Sequence, residues 1–117
     1  MRYMCLIYGD EVAYEKMSPE EVGKVHAEYE AFGKELAAAG NVRLAGDQLR
    51  PPHTATSVRI RNGKVQTTDG PFAETKEQLG GYYILECKNL DEALKWAAKI
   101  PGAKDGTIEV RPIVDFG

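Results

Sequence analysis

The order of hydrophobic and polar positions divides the chain into alternating strand-like and helical stretches. Residues 2–9, RYMCLIYG, are rich in apolar and aromatic side chains and end at a glycine, which predicts a buried strand. Ser18, Pro19 and two following glutamates predict a helix start, because a hydroxyl caps free N–H groups and acids favour the positive end of the helix dipole. This helix is expected to end near Gly40. Its apolar stripe, at spacings of three and four, is Val22, Val25, Tyr29, Phe32 and Leu36.

The middle of the chain carries the pattern of a β-hairpin. Two β-like runs, at about 54–60 and 64–68, flank Asn62 and Gly63. Asn-Gly is the strongest two-residue hairpin signal, since both turn positions need positive φ. The run at 80–89, GGYYILECKN, then predicts a central strand.

The last third of the chain predicts a second helix and a final strand. Asn89 or Asp91 caps the helix, whose apolar residues recur at helical spacing until Pro101 ends it. In residues 106–117 apolar and charged positions alternate, which indicates a strand with one buried face. Pro112 in that strand cannot donate to a ladder, so one side of the strand is expected to lack a partner there.

This order of elements predicts an α+β fold in a single domain spanning residues 1–117. Strand, helix, strand or hairpin, strand, helix, strand is the βαββαβ arrangement of ferredoxin-like folds, an antiparallel sheet with both helices on one face. The other face would expose a large apolar patch unless something covered it. We therefore expect a homodimer in which two sheets face each other and enclose a cavity.

Composition and charge exclude several classes of protein. No apolar run approaches the roughly 20 residues that span a bilayer, and acids follow the short apolar N-terminus at once, so we expect no membrane segment, no signal peptide and a cytoplasmic protein. The net charge of −3 comes from 15 basic and 18 acidic residues spread along the chain, which argues against nucleic acid as a partner. Cys5 and Cys87 lack metal-site spacing and are interpreted as buried free thiols, and no metal site is expected.

Residues 69–85, DGPFAETKEQLGGYYIL, resemble the signature of the DGPF proteins, a branch of the YCII-related family in the dimeric α/β-barrel superfamily. Other segments resemble these proteins in the same order, including LRPPHTATSVRIRNGKV and IEVRPIV. The resemblance implies a ferredoxin-like protomer and a dimer, with largely unassigned biochemistry. It also implies a functional link to extracytoplasmic-function sigma factors, beside which many such proteins are encoded.

The same resemblance points to candidate catalytic residues. A His–Asp pair is the proposed catalytic element of the YCII-type branch, and Asp69 matches its aspartate. The position expected for the histidine is Tyr29, and His26 lies about one turn earlier. The alternatives from the residues themselves are that Asp69 caps its own turn and that His26 is a hydrogen-bonded helix histidine. His53, on a loop, is interpreted as solvated.

Around this pair we expect a ligand-sized cavity without a cofactor. Phe72 is also interpreted as an anchor that buries its ring, and Tyr82 and Tyr83 as residues on opposite faces of one strand. The candidate ligand-binding residues are Gly70, Pro71, Phe72, Tyr29, Tyr82, Tyr83 and Arg59.

Three hypotheses for function remain open at this point. Asp69 and His26 perform acid–base chemistry on a small polar organic molecule, as in a lyase or hydrolase. Alternatively, the chain is a non-catalytic binding or regulatory module that acts with a sigma factor. In the third hypothesis the signature only fixes the loop and the dimer.

Overall fold

The computed structural model describes residues 1–117 and contains six strands and three α-helices. The strands are β1 Arg2–Gly9, β2 Arg43–Gln48, β3 Thr56–Arg61, β4 Lys64–Asp69, β5 Gln78–Glu86 and β6 Thr107–Pro112. The helices are α1 Glu11–Glu15, α2 Pro19–Ala38 and α3 Leu90–Lys99, with single 3-10 turns at Pro52–Thr54 and Pro101–Ala103. No helix is long and apolar enough to cross a membrane.

Four strands form an antiparallel sheet in the order β2–β5–β1–β6, and β3 and β4 form a separate hairpin. The predicted α+β, ferredoxin-like fold is therefore confirmed, with β5 and β1 at the centre of the sheet. β6 pairs only with β1, so Pro112 lies at the end of an edge strand, where its missing N–H costs no ladder bond.

Side-chain caps set the helix starts. Ser18 and Glu21 form a capping box at the start of α2, and the Asn89 side chain accepts from the Glu92 N–H at the start of α3, as predicted. The short helix α1 was not expected from the sequence. It begins where the Asp10 carboxylate accepts a hydrogen bond from the Ala13 N–H, and five residues are too few to show a helical period.

The predicted hairpin is confirmed with its turn at Asn62 and Gly63. Their φ angles are 52° and 73°, the left-handed values that a two-residue hairpin turn of this kind requires. The register places Ile60 opposite Val65 on one face of the hairpin, so the turn chemistry also decides which side chains share a face.

The core lies between the helices and one face of the sheet. α2 contributes Phe32 and Leu36, and α3 contributes Ala93 and Ala97. Both cysteines are buried free thiols, as predicted, and burial raises the pKa of Cys5 to about 11. The remaining buried core residues are Tyr3, Cys5, Leu85, Cys87 and Ile100. Both long helices therefore cover the same face.

The opposite, helix-free face of the sheet is not covered in a single chain. Its centre is apolar and half-buried, and its rim is polar, with the Tyr82 hydroxyl donating to Asp47 at 2.8 Å and Arg111 paired with Glu109 at 2.8 Å. The central residues are Met4, Leu6 and Ile84, which alternate with the core residues along their strands. An apolar centre with a polar rim is the usual composition of a protein–protein interface.

The chain is a thin plate. Its radius of gyration is 16.1 Å, against about 13 Å for a compact domain of this length, and its extents are 48 × 46 × 18 Å. Only 10 of 117 residues are buried, so one chain encloses a small core and leaves much apolar surface exposed.

Leu36→Ala is expected to destabilise the fold strongly, because Leu36 is completely buried between α2 and the sheet. Removing a buried leucine side chain costs about 2–5 kcal/mol, including the cavity it leaves. Urea unfolding measures this loss. Leu94→Ala, at a leucine that is 46% exposed on α3, is the matched control and should cost less than about half as much. Equal losses in the two variants would contradict this assignment of the core.

Candidate functional site

A β-bulge interrupts the central pair of strands at Gly80. Ile7 pairs with Gly81 and Tyr8 pairs with Leu79, so Gly80 is the extra residue on β5. A bulge bends its strand and redirects nearby side chains, and bulges are common next to active sites. The Gly80 carbonyl still accepts a hydrogen bond from the Leu49 N–H at 2.8 Å, which ties the bulge to the end of β2.

The Glu11 side chain occupies the space above this bulge. Glu11 begins α1, two residues after β1 ends, and its carboxylate lies directly over Gly80. A Cβ atom at position 80 would be 1.8 Å from Glu11 Oε1, so only glycine leaves room for the carboxylate. The position of the Glu11 carboxylate therefore depends on the glycine at position 80.

Glu11 is a half-buried carboxylate without a partner. It makes no hydrogen bond and no ion pair with any other side chain of the structure. Burial raises the pKa of Glu11, and the neighbouring carboxylates of Glu15 and Asp10 raise it further. An acid in this state is ready to exchange a proton or to accept a donor from a ligand.

A hydrogen-bonded chain of three side chains lies beside Glu11. The Gln48 amide donates to the Tyr14 hydroxyl at 3.4 Å, and that hydroxyl is 3.2 Å from Nε2 of His26. Because Gln48 donates to the phenol oxygen, the Tyr14 proton is free to be donated to a neutral His26. The chain joins β2, α1 and α2, and it holds an exposed histidine at a fixed position.

Tyr29 lies one turn after His26 and is half-buried against the core. Burial raises the pKa of Tyr29 to about 12, an effect that the backbone of Gly102 offsets in part and that Tyr83, Glu11 and Tyr14 reinforce. Tyr29 therefore keeps its proton at physiological pH and acts as a neutral polar group.

A small recess opens between α1 and the end of β2. Next to it, Nε2 of His53 is 2.8 Å from a Glu15 carboxylate oxygen, which fixes the turn at Pro52–Thr54 against α1. The recess accommodates only a small group, such as the reacting end of a ligand. Its lining residues are Glu11, Tyr14, Glu15, Gln48, Leu49 and Pro51.

The DGPF turn is held by backbone contacts rather than by its aspartate. Gly70, with a φ of 101°, donates its N–H to the Ala55 carbonyl at 2.7 Å, and the Ser57 hydroxyl donates to the Gly70 carbonyl at 3.0 Å. Such a φ favours glycine. The Asp69 carboxylate is exposed, and the structure contains neither a capping bond from it nor a hydrogen bond between it and His26.

The expectation that Phe72 buries its ring is wrong. The ring is 82% exposed, and its contact is with Arg59, whose guanidinium carbon is 5.5 Å from the ring centroid. Nothing in one chain covers the turn after Pro71, so the ring has only the flat guanidinium against which to pack. These residues border an open groove along β3.

Tyr82 and Tyr83 lie on opposite faces of β5, as the alternation of strand residues predicts. Tyr83 packs edge-on against Phe32 with ring centroids 5.3 Å apart, and burial raises its pKa. Tyr82 lies on the helix-free face, where the hydrogen bond to Asp47 raises its pKa. Tyr83 is thus a core residue and Tyr82 belongs to the rim of the uncovered face.

The structure joins only part of the predicted site. His26 lies in the hydrogen-bonded chain, while Asp69, Gly70, Pro71, Phe72 and Arg59 lie at or near the base of the hairpin. The sequence reasoning missed three residues of the cluster, namely Glu11, Tyr14 and Gln48. The signal that marks α1 is the Asp10 cap directly after β1. No group of three or more histidines, cysteines or acids has the arrangement of a metal site.

The fold defines the class to which the chain belongs, a ferredoxin-like α+β protein with a polar cluster at one end of the sheet. Within that class the chain belongs to the YCII-related family, because the YCII-related domain matches residues 1–117. It is also 38% identical over 115 residues to an uncharacterized protein of Rhizobium meliloti (strain 1021), which covers 97% of this chain and 92% of that protein.

Glu11→Gln is expected to change how stability depends on pH. The folded pKa of Glu11 is raised above 4.5, so the folded state holds the proton more tightly and wild-type stability falls as the pH rises through that folded pKa. The variant lacks this loss. Urea unfolding from about pH 4 to about pH 8 should therefore show the variant gaining stability relative to wild type. Glu74→Gln removes the same charge from an exposed loop and serves as control, and an identical profile for both variants would refute the assignment.

Gly80→Ala is expected to displace the Glu11 carboxylate at little cost in stability, because the clashing atom is the end of a flexible side chain. The pKa of Glu11, followed by carboxyl carbon NMR, should fall toward its ordinary value. Gly106→Ala is the comparison for stability. It should lose more stability than Gly80→Ala, because its Cβ would lie 2.1 Å from the Tyr8 carbonyl oxygen and the backbone would have to move. A Glu11 pKa that stays raised in Gly80→Ala would contradict this geometry.

Proposed function

We propose that the protein binds a small polar organic molecule at the recess beside α1 and transfers a proton to or from it. The observation that carries the proposal is the half-buried, unpaired Glu11 carboxylate beside the Tyr14–His26 hydrogen bond, and burial raises the pKa of this carboxyl. General acid–base groups are most effective when their pKa lies near the working pH.

The residues of the cluster have complementary roles in this proposal. Glu11 is the group that touches the ligand, because it lines the recess and has no partner in the protein. His26 is exposed and is linked to the recess through its hydrogen bond with the hydroxyl of Tyr14, which lines the recess beside Glu11. Leu49 and Pro51 supply the apolar wall that a ligand with a carbon skeleton needs.

We also propose that two copies associate through the helix-free face, as expected from the sequence. The apolar centre of that face and its polar rim support this, as does the small number of buried residues in one chain. Catalysis by Asp69 together with His26, and an association with a sigma factor, stay predictions.

The test uses a collection of small polar metabolites and the thermal midpoint of unfolding. Compounds that raise the midpoint of wild type should have little effect on Glu11→Gln, while Glu74→Gln should respond like wild type. For each compound that binds, deuterium incorporation in D2O, followed by proton NMR, reports proton transfer. It should fall about a hundredfold or more in Glu11→Gln and less in Tyr14→Phe.

Two results would refute this proposal. One is that every binding compound stabilises Glu11→Gln as much as wild type. The other is that Glu11→Gln catalyses deuterium exchange at the wild-type rate while Asp69→Asn does not. That result would assign the proton transfer to Asp69 of the DGPF turn.

A further inference from the structure

The hairpin of β3 and β4 has free outer edges, because neither strand pairs with any other strand. Arg61 pairs with Lys64 beside the two-residue turn, and residues in that position exchange both of their backbone hydrogen bonds. Bonded and non-bonded pairs alternate from there, so Val58 and Ile60 direct their N–H and C=O groups away from β4. The Arg61 guanidinium donates to the Ile60 carbonyl at 2.9 Å, as expected of a carbonyl that β4 does not use. β3 therefore presents unpaired backbone groups along its outer edge.

An open groove follows this outer edge. Its lining residues are Ser57, Val58, Arg59, Ile60, Arg61 and Phe72. Those from β3 are consecutive and belong to both faces of the strand, so the groove runs along the edge rather than over one face. None of them lines the recess at Glu11, so the groove is a separate candidate site.

The hairpin is strongly positive within an acidic chain. Residues 56–68 carry three cations and no acid, although the whole chain has a formal net charge of −3. The cations Arg59, Arg61 and Lys64 share one face, because Arg61 pairs with Lys64 and Arg59 is two residues before Arg61. None of the three forms an ion pair within the chain. This face is therefore complementary to an acidic ligand.

The two faces of β3 differ in chemistry at alternate positions. Val58 and Ile60, which are 64% and 66% exposed, lie on the face opposite the cations. On the cationic face the guanidinium carbon of Arg59 is 5.5 Å from the centroid of the Phe72 ring, and this contact holds the arginine at the groove. A strand added beside β3 would place its own alternate side chains next to these two faces.

We propose that the outer edge of β3 binds an extended acidic segment of another protein as an added strand, with acidic and apolar residues in alternation. Backbone hydrogen bonds to Val58 and Ile60 supply affinity, and the side chains on the two faces set the sequence preference. Acids of the segment pair with Arg59 and Arg61, while its apolar residues pack beside the apolar face. An N–H of the segment replaces Arg61 as the donor to the Ile60 carbonyl, which frees that guanidinium for a carboxylate.

Edge chemistry supports an acidic partner at β3 rather than another occupant or the other edge. β3 contains no proline and pairs without a bulge, so the features that usually block an edge strand are absent from it. A β3 strand of a second copy would bring like cations together at this edge. The outer edge of β4 ends at Asp69, whose carboxylate repels an acidic segment.

The first test titrates the full chain with a fluorescein-labelled hexapeptide of alternating glutamate and valine, followed by fluorescence polarisation. Val58→Pro removes one outward N–H and keeps the bonds to β4, so it should weaken binding about tenfold or more. Thr67→Pro is the matched control and should bind like wild type, because Thr67 pairs with Val58 and its N–H faces the opposite edge. A nuclear Overhauser effect between Ile60 and Val65 verifies that the hairpin forms in each variant.

The second test separates strand addition from simple charge attraction. Methylation of the backbone nitrogens, at all valines of one peptide or at all glutamates of another, should weaken binding in only one of the two, because a strand turns alternate N–H groups toward β3. A peptide of alternating lysine and valine should not bind. Arg59→Gln should weaken binding of the glutamate peptide about two- to fivefold, while Lys24→Gln, an exposed charge on α2, should not.

Several outcomes would overturn the assignment. Equal binding by Val58→Pro and wild type, or loss of binding in Thr67→Pro instead, would exclude the edge of β3. Equal effects of the two methylated peptides would exclude strand addition, and tighter binding of a short oligothymidylate would assign the cations to nucleic acid. Absence of saturable binding up to about 1 mM glutamate peptide would exclude an acidic segment as the occupant. None of these results bears on the acid–base proposal, which is tested at Glu11 with small molecules.

Discussion

One four-stranded sheet with helices for only one of its faces is the constraint on which the other features of this protein depend. α2 and α3 cover the face that contains Cys5 and Leu85. The face that contains Leu6 and Ile84 has no helix over it and contacts solvent in a single chain. The core is complete on one side and absent on the other. For this reason the chain can be well formed at every element and still bury only 10 of its residues.

The candidate site arises from a local departure from regular pairing in the same sheet. The extra residue at Gly80 breaks the ladder opposite Ile7 and Tyr8, at the point where the chain leaves β1 and enters α1. The Asp10 cap then fixes the direction of α1, and Glu11 is held over the glycine without a partner. A regular strand with a side chain at position 80 would have no room for that carboxylate.

Signals that act over a few residues could be read from the sequence. The Ser18 capping box, the Asn62–Gly63 turn and the alternation of Tyr82 and Tyr83 need only neighbouring residues, so they predicted the helix start, the hairpin and the two faces. Glu11 could not be found in this way, because its position depends on a bulge in a strand far along the chain. Phe72 was misjudged because a large ring was assumed to find a cover within its own chain.

The central position of β1 determines when this protein can fold during its synthesis. β1 pairs with β5 and with β6, which ends at Pro112, so the partners of β1 are synthesised much later than β1 itself. At about 5–20 residues per second, its apolar side chains wait on the order of 5 to 20 seconds for those partners. The hairpin, closed by its own turn, forms without that delay. Until those partners are made, the unpaired backbone groups of β1 are open to pairing with another chain.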